Sequence, residues 1–192
     1  MDKGLLIVYT GASGVGKGTV MKRLLESNDN LRLSVSATTR APRPGETDGV
    51  EYHFVTEDRF LEMIDKSELL EHAVYCGNHY GTPEKSVRDM LSSGLDVMLE
   101  IEVKGYLQIK KLFPDCVTIF VLPPSLEELE RRLKGRGTET DDVVKERLNR
   151  AIEEMEYAKY FDYQVINDDV ERTKDEILDI ISKIKKERTM EE

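Results

Sequence analysis

Gly11-Ala12-Ser13-Gly14-Val15-Gly16-Lys17-Gly18-Thr19 follows the apolar run Leu5–Thr10 and opens the amphipathic stretch Lys17–Ser27. A glycine-rich turn between a buried strand and a helix is what a phosphate-binding P-loop requires. Glycines let backbone N–H groups turn inward around phosphate oxygens, where side chains would block the approach. The N-terminus of the following helix adds a favourable dipole. Lys17 adds a mobile positive charge for the outer phosphates. The usual pattern continues with Ser or Thr directly after the lysine; here that place is Gly18, and the hydroxyl comes one residue later at Thr19. The loop predicts a phosphate site and leaves the metal ligands unassigned.

Outward from the loop, the apolar runs Leu31–Ser36, Val97–Ile101, Val117–Leu122 and Tyr163–Ile166 are predicted strands. Helices are predicted over Glu57–Lys66, Glu84–Ser93, Lys104–Phe113 and Leu126–Lys134. Thr56 is placed to cap the first of these, and Ser125 with Glu128 forms a capping box for the last. Val144, Leu148, Ala151, Ile152, Met155 and Ala158 make one apolar stripe, and Ile177, Ile180, Ile181 and Ile184 make another, so two more helices pack on the core. Short buried strands alternating with amphipathic helices predict an α/β fold, a mostly parallel sheet with helices on both faces. The charged tail Lys185–Glu192 is expected to fray. Between Thr39 and Pro83 the rhythm breaks: polar sequence carrying Tyr52, Phe54, Tyr75 and Tyr80 predicts an insertion of short antiparallel strands around one helix. Gly135–Thr140 reads as a hinge-like segment between two charged helices. Arg131, Arg132 and Lys134, just before it, read as charges complementing a helix dipole.

The composition narrows the function. With 39% hydrophobic and 34% charged residues over 192 positions, the chain can bury a core without disulfide or metal staples. A net charge of −10 argues against a general nucleic-acid binder, yet a local basic cluster can still take a small phosphorylated ligand. No apolar run is long enough to cross a bilayer. The first residues lack the pattern of a signal peptide, and Cys76 and Cys116 form no Cys-x-x-Cys pair, so reduced thiols and a cytoplasmic location are expected. His53, His72 and His79 lack zinc-ligand spacing.

Arg40 and Arg43 lie three apart on a segment stiffened by Pro42 and Pro44. Guanidinium forks match phosphate oxygens, and Tyr52 and Tyr80 offer phenolic hydroxyls to the same anion. Alone, the pair reads equally well as a solvated loop. Beside a P-loop it suggests an acceptor site, because phosphoryl transfer needs an acceptor held in line with the donor.

The run Ser34-Val35-Ser36-Ala37-Thr38-Thr39-Arg40-Ala41-Pro42-Arg43, with Gly45-Glu46, Asp48-Gly49, Tyr52 and Phe54 after it, resembles the guanylate kinase family signature. Gly77–Thr82, Leu99–Glu102, Gly135–Thr140 and Val165–Asp169 extend the resemblance in family order from about Leu6 to Asp169. It implies a P-loop core (1–35, 84–125 and 148–192), a small mixed α+β insertion that binds GMP (36–83) and a short helical lid (126–147). It implies transfer of a phosphoryl group from ATP, with Mg²⁺, to GMP and dGMP. Gly11 to Thr19 would cradle the ATP phosphates and Asn167 would lie near the adenine. Arg40, Arg43, Tyr52 and Tyr80 would hold the GMP phosphate, and Glu46, in the same signature, would also lie in the substrate site; Ser36, Glu71, Thr82 and Glu102 would meet the guanine. Lys17, Arg40, Arg43, Arg136 and Arg147 would neutralise the transferring phosphoryl, with insertion and lid closing once both nucleotides are bound. Glu100, at a strand end, is open between holding a magnesium-bound water and a structural role. Two positions depart from the common pattern, Glu102 for Asp and Lys104 for Gln. Two alternatives stand: a kinase of another phosphorylated acceptor, and a scaffold module that binds protein ligands. The first would lose Glu71, Tyr80 and Thr82; the second generally has a degraded P-loop, whereas Gly11, Gly16 and Lys17 are intact here. Small-molecule substrates, no nucleic acid, no membrane, and a monomer or homodimer complete the expectation.

Overall fold

The structure, a computed structural model, describes residues 4–135 and 141–191. Its strands are β1 (Leu6–Gly11), β2 (Leu31–Leu33), β3 (Ala37–Thr38), β4 (His53–Phe54), β5 (Leu69–Tyr75), β6 (Asn78–Pro83), β7 (Asp96–Glu100), β8 (Val117–Leu122) and β9 (Tyr163–Ile166). Its helices are α1 (Lys17–Ser27), α2 (Glu57–Asp65), α3 (Glu84–Ser92), α4 (Val103–Leu112), α5 (Leu126–Lys134), α6 (Asp141–Met155) and α7 (Val170–Glu191). The chain divides into two units, Met1–Val8 with Asn30–Val117 and Tyr9–Asp29 with Thr118–Glu192. Strand β1 contributes residues to each.

In the first unit the strand order is β2-β7-β1, with β2 parallel to β7 and Arg32 opposite Val97. Every residue of β1 is buried, the pattern of a parallel strand covered on both faces. Buried Asp96 accepts from the Leu5 backbone N–H at 2.9 Å and from Asn30 Nδ2 at 3.1 Å, so its carboxylate is not left unsatisfied. A second sheet has the order β4-β3-β6-β5. Its β5–β6 hairpin turns at Cys76 and Gly77 with φ of 48° and 76°, the left-handed pair that tight two-residue hairpins demand. Ala37, Phe60 and Met63 form the apolar centre under this sheet, with Val55, Ile64 and Leu69 packed around it. Thr56 caps α2 by accepting from the Arg59 N–H, as its sequence predicts.

Two expectations change here. The predicted strand Leu31–Ser36 is divided: β2 ends at Leu33, Ser34 keeps one more backbone bond to Met98 O at 2.9 Å, and the chain then starts β3 in the other sheet. The insertion is antiparallel through β3, β6 and β5, but β4 runs parallel to β3. The long connection after Thr38 carries the chain back to the starting end, so His53 enters beside Ala37 in the same direction.

In the second unit the order is β1-β8-β9, with β8 parallel to β9 and Val121 opposite Val165. Helix α1 packs on α7 and α5 on α6. Ser125 caps α5 by accepting from the Glu128 N–H at 3.1 Å. The charged tail does not fray as expected: α7 runs to Glu191. Lys and Glu are good helix formers, and Lys183 with Glu187 pairs at i, i+4 across 3.9 Å.

Candidate active site

The second unit holds the glycine-rich loop. Gly16 sits at φ 95°, and a Cβ there would lie 2.8 Å from Asn167 Nδ2, so both the backbone and its neighbour require glycine. Asn167 is buried; its amide donates to Val15 O at 2.8 Å and its carbonyl accepts from Thr173 Oγ1 at 3.2 Å. It thus braces the loop from β9. Lys17 arches back across the loop and donates from Nζ to Gly11 O at 2.6 Å and Ala12 O at 3.2 Å. Ser13 Oγ accepts from Arg147 at 3.3 Å, which brings the α6 arginine to the loop. Gly18 and Thr19 are exposed on the first turn of α1, and a Cβ at Gly18 would meet nothing within 4 Å. Arg136, the other lid arginine, lies outside the described residues.

Two residues of this loop's surroundings escape the sequence reading. Arg132 pairs with Glu128 at 2.8 Å, as Arg131 does, and also donates to Val15 O at 3.1 Å, while Lys134 pairs with Glu130. The reading of all three as dipole charges leaves out this loop contact of Arg132. Its position three after buried Leu129 was the available signal, since residues three apart share a helix face. Glu154 accepts from the Ser13 backbone N–H at 2.8 Å, satisfying a loop amide with a carboxylate. It lies seven after Arg147 on α6, again on one face.

In the first unit three of the acceptor candidates, Glu71, Tyr80 and Thr82, share one face of the four-stranded sheet. Register pairs Thr82 with Glu71 and Tyr80 with Thr38, and residues two apart on a strand share a face. Arg40 donates to Glu46 Oε1 at 2.9 Å and to Ala41 O at 2.7 Å, and its guanidinium lies over Tyr52 at 5.3 Å and Phe54 at 5.7 Å. Tyr52 packs edge-on against Tyr80 at 5.8 Å. The hydrogen bond from Arg40 holds the Glu46 carboxyl below its usual range, and Glu46 in turn raises Arg40. Glu46 also accepts from the Arg43 backbone N–H at 2.7 Å; the Arg43 side chain itself is exposed. Burial pushes the Tyr52 hydroxyl up, and the Tyr80 and Glu100 side chains add to it.

Glu71 is 5% exposed, unusual for a carboxylate. Thr82 Oγ1 donates to its Oε1 at 2.6 Å. Burial pushes the Glu71 carboxyl up to about 7, Glu102 adds to the shift, and the hydrogen bonds from Thr82 oppose it. Glu102 stands exposed at the N-terminus of α4. Ser36 lies just before β3, its carbonyl accepting from the His53 N–H at 2.9 Å. Among the described residues no cluster of His, Cys, Asp or Glu could hold a metal ion unaided. None of their helices is long and apolar enough to cross a membrane.

The guanylate kinase family model matches residues 3–184. A guanylate kinase of Halalkalibacterium halodurans is 53% identical over 192 residues, covering 99% of this chain and 94% of the relative. One of Clostridioides difficile is 52% identical over 182 residues, covering 95% and 89%. Among solved structures, guanylate kinase from Anaplasma phagocytophilum matches with a TM-score of 0.78 and 34% identity, covering 95% of this chain and 86% of that one.

Proposed function

Because the chain belongs to the guanylate kinase family, and so phosphorylates GMP at the expense of ATP, we propose which of its residues handle each substrate. The Gly11–Thr19 loop takes the ATP phosphates on its backbone N–H groups, with Lys17, Arg132 and Arg147 supplying positive charge. Arg40, Arg43, Tyr52 and Tyr80 take the GMP phosphate. Glu71, Thr82, Ser36 and Glu102 take the guanine. The observation that carries this division is the pairing of buried Glu71 with Thr82 on the sheet face of Tyr80, against which Tyr52 packs with Arg40 over its ring. No covalent intermediate is needed: Lys17 and the arginines, Arg136 included, hold the transferring phosphoryl in line and offset its charge.

Mg²⁺ fits this donor set. Such an ion is usually carried on substrate phosphates with one or two protein oxygens, and the exposed Thr19 hydroxyl at the head of α1 suits that role. When bound, it would supply positive charge to the substrate phosphates. The groups named for the acceptor address base and 5′-phosphate, so dGMP is proposed as a second acceptor.

A split in Michaelis constants tests the division. Arg40→Lys keeps the charge and loses the fork, so KM for GMP is expected to rise about tenfold with KM for ATP unchanged. Arg132→Ala is expected to raise KM for ATP by about fivefold and leave KM for GMP alone. Steady-state kinetics on both substrates checks this. Equal shifts in the two constants for either variant would overturn the assignment.

A further inference from the structure

Glycine is the least favourable helix-interior residue after proline, because it loses the most backbone freedom on folding. Gly105 nevertheless occupies the first turn of α4, where it is buried. A Cβ at this position would lie 2.4 Å from Glu71 Oε2, 3.0 Å from its Cδ and 3.4 Å from its Cγ. On the other side Thr82 Oγ1 holds Oε1 at 2.6 Å. The Glu71 carboxyl group is thus set between a hydroxyl and the bare backbone of a helix.

The helix is not free to retreat. Gln108, one turn further along α4, accepts from the His72 N–H at 3.2 Å and donates to the His72 carbonyl at 2.8 Å. This two-way clasp ties α4 to β5 at the residue next to Glu71. A side chain at 105 would therefore displace the carboxyl group rather than the helix. Displacing the buried carboxyl group strains its bond from Thr82, so the consequence falls on the group itself.

We propose that Gly105 is a specificity-determining residue: the lack of a side chain there sets the position of the Glu71 carboxylate that reads the guanine edge. The inference rests on the assignment of Glu71 to guanine made above. Gly105 touches no substrate; it positions the group that does.

The test is a double-mutant cycle on Gly105→Ala and Glu71→Ala, with GMP and IMP as acceptors. IMP lacks the exocyclic amine of guanine, so the GMP-to-IMP ratio reports recognition of that amine. Gly105→Ala is expected to stay folded, to keep KM for ATP, and to lose about tenfold in kcat/KM for GMP. The GMP-to-IMP ratio should shrink with it. In the Glu71→Ala background the carboxyl group is gone, and Gly105→Ala should cost nothing further. A wild-type GMP-to-IMP ratio in Gly105→Ala, or fully additive losses, would overturn the proposal. Glu71→Ala without effect on GMP would instead overturn the guanine assignment. If Gly105→Ala does not fold, the double variant decides: recovery of folding supports the clash with Glu71, and failure overturns it.

Discussion

Lys17→Met is expected to fold normally and to lose about 10²–10³ in the rate of phosphoryl transfer, the cost of removing one well-placed charge from the transition state. The substitution keeps most of the unbranched stem and deletes the ammonium, which now donates to Gly11 O and Ala12 O. Bonds from a charged donor are worth about 1.5–3 kcal/mol, but Lys17 is only half-buried, so water can replace the ammonium at these carbonyls and the variant is expected to stay folded with some loss of stability. Chemistry has no substitute for the charge. As the bond to the leaving phosphate lengthens, negative charge spreads over the phosphoryl oxygens. Arg147, reached from α6 and hydrogen-bonded to Ser13, can share in offsetting it, but its anchor is a helix side chain rather than the loop itself. Single-turnover transfer measured beside thermal unfolding separates the two effects. Half or more of the wild-type rate in a correctly folded variant would remove the loop lysine from the mechanism.

Glu71→Gln is expected to lower kcat/KM for GMP by at least about tenfold and to narrow the gap between GMP and AMP. Guanine presents two donors side by side, the ring N1–H and the exocyclic amine. A carboxylate has about four acceptor positions, and the bond from Thr82 uses one, so it can take both donors. Adenine places a lone pair at the matching edge, leaving a buried charge poorly paired. An amide in place of the carboxylate offers one acceptor oxygen and an N–H₂ group that opposes the second donor. The pH dependence gives a second handle. With the carboxyl near 7, raising the pH from about 6 to about 8 turns it from mostly neutral to mostly ionised, so kcat/KM for GMP should rise by about tenfold. The glutamine variant should lose that rise.

Stability moves the other way. The folded chain holds the Glu71 proton up to about 7, whereas an unfolded chain releases it near 4.5. The folded state therefore binds more protons across that window, and stability falls as pH rises through it, by up to about 3 kcal/mol. Glutamine has no such loss. Glu71→Gln should thus unfold at a higher temperature than wild type at about pH 8 while serving GMP worse. Unfolding curves at two pH values check the sign, and a destabilised glutamine variant at the higher pH would refute it.

Local signals made much of the fold legible. The buried run of β1, the glycines after it and the caps at Thr56 and Ser125 each depend on residues within a few positions. The pairing of Arg40 with Glu46 and its stacking on Tyr52 and Phe54, six to fourteen positions on, came only with the folded loop. What else the sequence hid was long-range. Nothing in Leu31–Ser36 marks Leu33 as the point where the chain leaves one sheet for another, because the apolar pattern runs on. The direction of β4 depends on the path of the connection before it. Arg132 on Val15, Glu154 on Ser13 and Gly105 against Glu71 join residues far apart in the chain. In each case the chemistry was present in the sequence, but its partner was set only by packing.

The small apolar centre of the four-stranded sheet has a bearing on ancestry. Ala37, Phe60 and Met63 form the apolar centre of this sheet, while Glu71, Tyr80 and Thr82 share the face proposed to meet the acceptor. Replacements on that face need not disturb the residues that hold the sheet together. Lineages can therefore drift toward a different base by exchanging a few polar side chains, with the glycine-rich loop inherited unaltered. Diversification of acceptors on a constant donor chemistry is the course such an arrangement leaves open.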